Sequence, residues 1–238
     1  MADPLLAKAF ASAAPTHFAW QTQSPVVSDE ERTLLRAAFD PLGRRVLDLG
    51  CAEGETLKHL GEPPGAVGLD LFVDKVRFAQ QHVQARFVAG SGLELPFGAG
   101  SFDHVLVRDV FHHVDRPEIL VNECRRVLAR RGRIDVLEPC RYNPLIFVHA
   151  LARPEERGEL RSTGPRLASL LAPRFEVVRV EHFQPLPLHR LVYHPDIGRP
   201  DWAQRTLIRK LVAGAERVAG WLIPSGAWAY LHLRGEAR

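Results

Sequence analysis

Cysteine is scarce in this chain: Cys51, Cys124 and Cys140 are the only three among 238 residues. The number is odd and no two stand in C-x-x-C spacing, so neither a disulfide framework nor a cysteine zinc site is expected. No metal-ligating cluster stands out along the sequence, and no metal is expected. A reducing compartment fits, which makes the cytoplasm the expected location. Long apolar runs are lacking too. The most apolar late stretch, 219–231, is broken by Pro224 and Gly226, and it falls short of the roughly 20 residues a membrane-spanning helix needs. The opening MADPLLAKAFASAA has no basic segment followed by a long apolar core, so it does not read as a signal peptide. Nor is there an internal repeat or a low-complexity segment.

Charge of one sign is also missing: the net charge is +3. The densest basic run is Arg125, Arg126, Arg130, Arg131 and Arg133. Such a run can be a nucleic-acid footprint or the solvated face of a helix leading into a turn; charge runs of this size usually serve solubility. A nucleic-acid partner is therefore not expected. What is present is an ordinary globular composition, 46% hydrophobic, at a length that suits one domain over 1–238.

Along the chain the apolar pattern alternates between helix and strand periods. Ser28 to Asp40 reads as a helix with a serine cap. Strands are expected at 45–49, 66–71, 85–89, 102–107 and 133–137. Helices are expected at 55–60, 74–84 and 117–129. Strands that alternate with helices imply right-handed crossovers and a parallel sheet covered on both faces. In such folds ligands bind at the carboxyl ends of the strands. Further on, helices are expected near 143–153 and 165–171, strands at 175–182 and 226–233, a Pro/His-rich loop at 185–200 and an amphipathic helix at 202–222.

The strongest motif is VLDLGCAEGET, Val46 to Thr56. A buried strand carries Asp48, turns at Gly50 and Gly54, and opens a helix whose free N–H groups face a ligand. A phosphate-cradling loop needs Gly-Lys-Ser/Thr, whereas Gly54-Glu55-Thr56 puts a carboxylate where phosphate would lie. A dinucleotide turn needs G-x-G-x-x-G, and Ala52 stands at its second glycine. What remains is a cofactor with an adenosine and a cationic amino-acid tail, whose ammonium suits Asp48. Asp70, about twenty residues on and at a strand end, is placed to accept ribose hydroxyls.

These residues resemble the class I S-adenosylmethionine-dependent methyltransferases, in particular the branch related to the ubiquinone-biosynthesis methyltransferases. VLDLGCAEG is similar to that family's first motif and GLDL, Gly68 to Leu71, to its second. Ser91 to Val114 resembles the third and fourth motifs, and Asn122 to Pro139 the helix and fifth strand that follow. The resemblance covers residues 28 to 140 and implies a doubly wound, Rossmann-like α/β sheet of seven strands, order 3-2-1-4-5-7-6, with a helical insertion between the last two. It implies S-adenosylmethionine as cofactor. Asp48, Gly50, Cys51, Ala52 and Gly54 would hold the methionine part, Asp70 the ribose and Leu71 the adenine face. Ser91, Gly92 and Leu93 would border the adenine, and Val107, Arg108 and Asp109 would lie under the sulfonium. Ala52 and Ser91 depart from the family's usual Gly and Asp. Cys51 itself reads as a small packing residue.

His112 and His113 are the candidate catalytic residues: either could act as general base on an acceptor, or merely pack and position a loop. Asp109 and Glu138, at neighbouring strand ends, could touch substrate, and Glu138 could equally serve as a cap. The N-terminal segment 1–27, with Phe18, Trp20 and Gln21, is expected either over the cofactor or as a mobile terminus with an aromatic anchor. The insertion 185–222 is expected as a lid or an interface, since few compact domains need so long a connection. The reading is methyl transfer to an O, N or C atom of a small, partly hydrophobic acceptor, in a chain that could form oligomers. The alternatives are an RNA methyltransferase and a cofactor-binding partner protein without turnover.

Overall fold

The computed structural model describes residues 8–238. Two helices come first, α1 (Pro15–Gln23) and α2 (Pro25–Phe39). Ser28 lies inside α2 and does not cap it: Pro25, with its fixed φ and missing N–H, suits the first turn better. The alternating portion follows as β1 (Val46–Leu49), α3 (Glu55–His59), β2 (Val67–Asp70), α4 (Val73–His82), β3 (Arg86–Ala89), β4 (Phe102–Arg108), α5 (Pro117–Val127) and β5 (Leu128–Pro139). Then come α6 (Pro144–Ala152), a 3-10 segment Pro154–Arg161, α7 (Gly164–Leu171) and β6 (Phe175–Phe183). The insertion carries α8 (Leu188–Val192), a short 3-10 turn and α9 (Thr206–Leu222), and β7 (Tyr230–Ala237) closes the chain.

The seven strands form one sheet in the order β3-β2-β1-β4-β5-β7-β6, as the resemblance implies. The first five run parallel and β7 lies antiparallel between β5 and β6. β7 starts four residues later than the sequence pattern suggests, because 225–227 coil into a 3-10 turn after Pro224 and the Trp228 indole donates back to the Ile223 carbonyl at 3.0 Å. Residues of β1 and β2 are buried throughout, as a sheet covered on both faces requires.

Alternation along the strands splits the core in two. Leu47, Leu49, Val105 and Val107 pack with α5 and α7 residues such as Leu120 and Leu171. On the other face Leu106 and Leu137 pack with Leu35 and Phe39 of α2 and Val76 of α4. That second face also holds charge. The Asp135 carboxylate takes His104 Nε2 at 2.7 Å, His232 Nε2 at 2.8 Å and Arg234 Nε at 2.7 Å. A third, small core joins Trp20 and Val27 of α1 and α2 to Tyr193 and Ala203 of the insertion.

Candidate functional site

The glycine turn after β1 is fastened to β2. The N–H groups of Gly50 and Cys51 both donate to the Leu69 carbonyl, at 2.8 and 3.0 Å. Gly50 has a φ of 77°, and a Cβ there would lie 2.3 Å from Val110 Cγ2, so only glycine fits. Ala52 also takes a positive φ, 47°, a conformation strained for any residue with a Cβ. Asp70 sits under this turn: one oxygen accepts from Ala52 N at 3.0 Å and the other from Phe72 N at 2.9 Å. Leu71 and Val73 follow, both about half exposed. The Gly90 N–H donates to the Asp70 carbonyl at 2.9 Å and draws Ser91, Gly92 and Leu93 alongside. The Ser91 hydroxyl accepts from Leu93 N at 3.2 Å.

The charges around the turn decide what it can hold. Asp48 is fully buried and its Oδ2 has no hydrogen-bond partner. Burial pushes its carboxyl up to about 7, with Arg108 opposing and Asp70 adding to the rise. Burial and the neighbouring Glu53 likewise push Glu55 up to about 7. Glu53 meets Lys75 at 3.5 Å. A turn ringed by so many carboxyl groups repels phosphate and suits a cation. An unpartnered buried carboxyl is the acceptor that an ammonium group would satisfy. The residues present therefore fit the methionine end of S-adenosylmethionine. Burial raises the Cys51 thiol well above its ordinary range, which agrees with a packing role.

The end of β4 brings Val107, Arg108 and Asp109 to the same mouth. Asp109 adopts a φ of 53°, with its N–H bonded to the Leu137 carbonyl at 3.0 Å. Arg108 is turned toward α2, where it donates to Glu31 at 2.7 Å, and its Nε lies 3.3 Å from Asp109. Arg190 of the insertion grips the other oxygen of Glu31 and stacks 5.1 Å over the Tyr230 ring. Burial opposes the charge on Glu31, but the two guanidiniums outweigh it and hold the carboxyl down at about 2.

His112 and His113 form a 3-10 turn after β4. Glu138 collects this turn: it accepts from Val110 N at 2.7 Å, from Phe111 N at 2.8 Å and from His112 Nδ1 at 2.7 Å. Glu138 is thus a cap and a histidine anchor together. Glu156 faces both rings, 3.4 Å from His112 Nε2 and 3.6 Å from His113 Nε2. Two imidazoles and one carboxylate converge here at a spacing that could accommodate a cation, a grouping invisible along the sequence because Glu156 comes from the segment after α6. That segment fits closely: a Cβ on Gly158 would lie 1.8 Å from the His112 carbonyl. Burial works against a charge on His112, yet Glu138 and Glu156 outweigh it and lift the imidazole well above its usual range. Burial and the charge of His112 lower His113 to about 4, against the pull of Glu156.

The N-terminal segment reaches the turn through residues other than Phe18 and Trp20. Ala14 N donates to Glu53 at 2.7 Å, and the Phe10 ring lies 5.1 Å from His113 and beneath Lys75. Phe18 instead packs on Phe78, and Trp20 enters the third core, because α1 turns their side chains inward. Glu31 and Arg190 were not legible in the sequence: they meet across 159 positions. Three of the five clustered arginines hold protein acceptors. Arg125 bonds the Arg238 carbonyl, Arg126 bonds Glu123 and the Leu95 and Phe97 carbonyls, and Arg133 bonds Asp135.

Residues 47–135 match a family model described as a methyltransferase domain. Over those residues the chain carries a methyltransferase domain. The methyltransferase relatives differ in the atom their names specify. Norajmaline N-methyltransferase of Rauvolfia serpentina is 30% identical over 68% of this chain and 56% of its own length. Ubiquinone biosynthesis O-methyltransferase of Xanthomonas axonopodis pv. citri is 31% identical over 54% of this chain and 56% of its own length. The chain thus spans little more than half the length of these curated relatives. Among solved structures, a methyltransferase of Thermotoga maritima superposes with a TM-score of 0.64 and 17% identity, covering 94% of this chain and 95% of that one. That likeness speaks for the fold alone.

Proposed function

We propose that the chain transfers a methyl group from S-adenosylmethionine to an O, N or C atom of a small, partly apolar acceptor. The observation that carries this reading is the buried, unpartnered Asp48 carboxyl beneath a glycine turn ringed by acids. When bound, the cofactor supplies a methyl group made electrophilic by its sulfonium. The chain's residues bind and align. Asp48 and the backbone of Gly50 to Gly54 receive the amino-acid end, Asp70 the ribose and Leu71 the adenine face. Ser91 to Leu93 border the adenine, and Val107 to Asp109 border the methyl end. Alignment and exclusion of water do most of the work in such a transfer.

The two histidines divide their tasks. His112, cationic between Glu138 and Glu156, fixes the turn. His113 stays neutral, the state in which an imidazole can take a proton from an acceptor hydroxyl or amine. The insertion 185–222 acts as the lid on the acceptor side, fastened through Arg190. An RNA acceptor is disfavoured, since Arg125, Arg126 and Arg133 already hold protein partners.

Calorimetry in chelator with S-adenosylhomocysteine, followed by transfer of labelled methyl to a panel of phenols, amines and quinols, tests the reading. Heat with the cofactor and label in a panel member supports it. Binding with no transfer to any acceptor would favour a partner protein without turnover. Heat with NADH and none with the cofactor would overturn the assignment.

A further inference from the structure

Helix α9 wears its apolar residues on two different faces. Ile208 and Val212 pack against the third core, and Ala219 is buried. Leu207, Leu211, Val218 and Leu222 recur at helical spacing on another face, with Trp221 beside them, and all five are between 51% and 83% exposed. Nothing among the described residues covers them. Lone exposed apolar residues are ordinary, but a contiguous stripe of five on one helix marks an interaction surface.

The charges on the same helix name the partner. Lys210 and Arg217 flank the stripe, are exposed, and neither has an acidic partner within 4.0 Å among the described residues. The one acid of α9, Glu216, is turned inward and accepts from the backbone and ring nitrogens of His189 at 2.9 and 2.8 Å. The outward surface of the helix is therefore apolar and cationic, with no negative charge. An isologous dimer would bring this patch against itself. It would set two cations per copy near two like charges with no acid to compensate. A surface of negative lipid headgroups meets both features together. The leucines and Trp221 enter the acyl boundary while the cations remain among the phosphates.

Length and composition agree with lying on a bilayer and not crossing it. The helix has 17 residues, about 25 Å at 1.5 Å per residue, and no helix among the described residues is long and apolar enough to span a membrane. Its inner face stays attached to the protein through the third core, so the stripe can face lipid without the fold coming apart.

We propose that α9 docks the protein onto anionic membrane surfaces, with Leu207, Leu211, Val218, Trp221 and Leu222 inserted at the headgroup level and Lys210 and Arg217, which flank the stripe, paired with lipid phosphate. This does not depend on the methyl-transfer reading, and its test needs no turnover.

The test is co-sedimentation of the full chain with vesicles of phosphatidylcholine alone or doped with phosphatidylglycerol. Binding to the doped vesicles that weakens in high salt is expected, with little on the neutral ones. The double variant Leu211→Ser/Trp221→Ser should lose binding at least tenfold. Lys210→Gln/Arg217→Gln should lose roughly tenfold on doped vesicles. Both variants alter exposed side chains, so their circular dichroism and cofactor affinity should match the parent. Absence of binding to doped vesicles would overturn the proposal. Equal binding to neutral and doped vesicles would overturn the anionic recognition. Concentration-dependent dimers that the leucine–tryptophan variant abolishes, without vesicle binding in the parent, would assign the face to a second copy.

Discussion

The Nδ1 atom of His112 lies 2.7 Å from Oε2 of Glu138, and both side chains are buried. The same carboxylate accepts the N–H groups of Val110 and Phe111, so one acid holds the ring and the turn that presents it. Glu138→Gln keeps the size and removes the charge. It should destabilise the protein by about 3 kcal/mol at neutral pH, because a buried imidazolium loses its main partner. The sign with pH follows from the raised His112. Its stabilisation is complete below the ordinary histidine range and is lost as pH rises through its folded value. Urea unfolding against pH should show that decline in the parent and not in Glu138→Gln.

His113, lowered to about 4, remains neutral across the range where an ordinary histidine titrates. If it takes the acceptor's proton, kcat/KM should stay flat between pH 5.5 and 6.5, roughly the interval where an unperturbed imidazole would lose activity. His113→Ala should lower kcat about a hundredfold with little change in cofactor affinity. A profile that falls with a midpoint near the ordinary histidine value, unaffected by His113→Ala, would remove His113 from that role.

Asp48 sets stability against binding. Its carboxyl is raised to about 7, so the folded protein keeps a proton that the unfolded chain releases near pH 4. Stability from this group falls as pH rises between those values and stays low above them. Asp48→Asn should therefore gain about 1–3 kcal/mol at pH 8 and little at pH 4, the gain being reduced by the amide's own unmet hydrogen bonds. The same variant should bind S-adenosylmethionine at least tenfold more weakly. Thermal unfolding and calorimetry across pH read both.

Ala52 departs from the glycine usual in the resembling family, and the structure shows its cost, a φ of 47° on a residue with a Cβ. Ala52→Gly should raise stability by about 1 kcal/mol, the relief of left-handed strain exceeding the loss of chain entropy. A lower melting temperature would mean the methyl group packs better than its backbone allows.

Much of this was legible in the sequence. The β1 turn, Asp70 and the strand–helix alternation are local signals, carried by a few adjacent residues; the alternation gave the parallel sheet, and the family resemblance of the motifs implied the observed strand order. Element ends were less legible: Ser28 looks like a cap only until Pro25 is given precedence. The pairings that shape the site were not legible at all. Glu156 meets His112, Arg190 meets Glu31 and Asp135 gathers His104 and His232, each across long separations. A charge in the middle of a strand such as Asp135 reads as a surface residue until the opposing histidines are known. The aromatics of α1 stayed open between cover and anchor for a similar reason, since their burial depends on α4 and on the insertion.

The third core has a kinetic consequence. Trp20 and Val27 pack with Tyr193 and Ala203, while just upstream of α1 the Ala14 N–H is bonded to Glu53 of the glycine turn. On the proposed reading the N-terminal helices steady two doors, the segment before α1 over the turn that receives the amino-acid end and the insertion over the acceptor. On that reading, swinging the insertion away would strip packing from the helices that steady the other door, so the two would not work independently. Ordered loading of the two substrates is then the expected outcome, checked by a product-inhibition pattern of compulsory order with the nucleoside first in and last out.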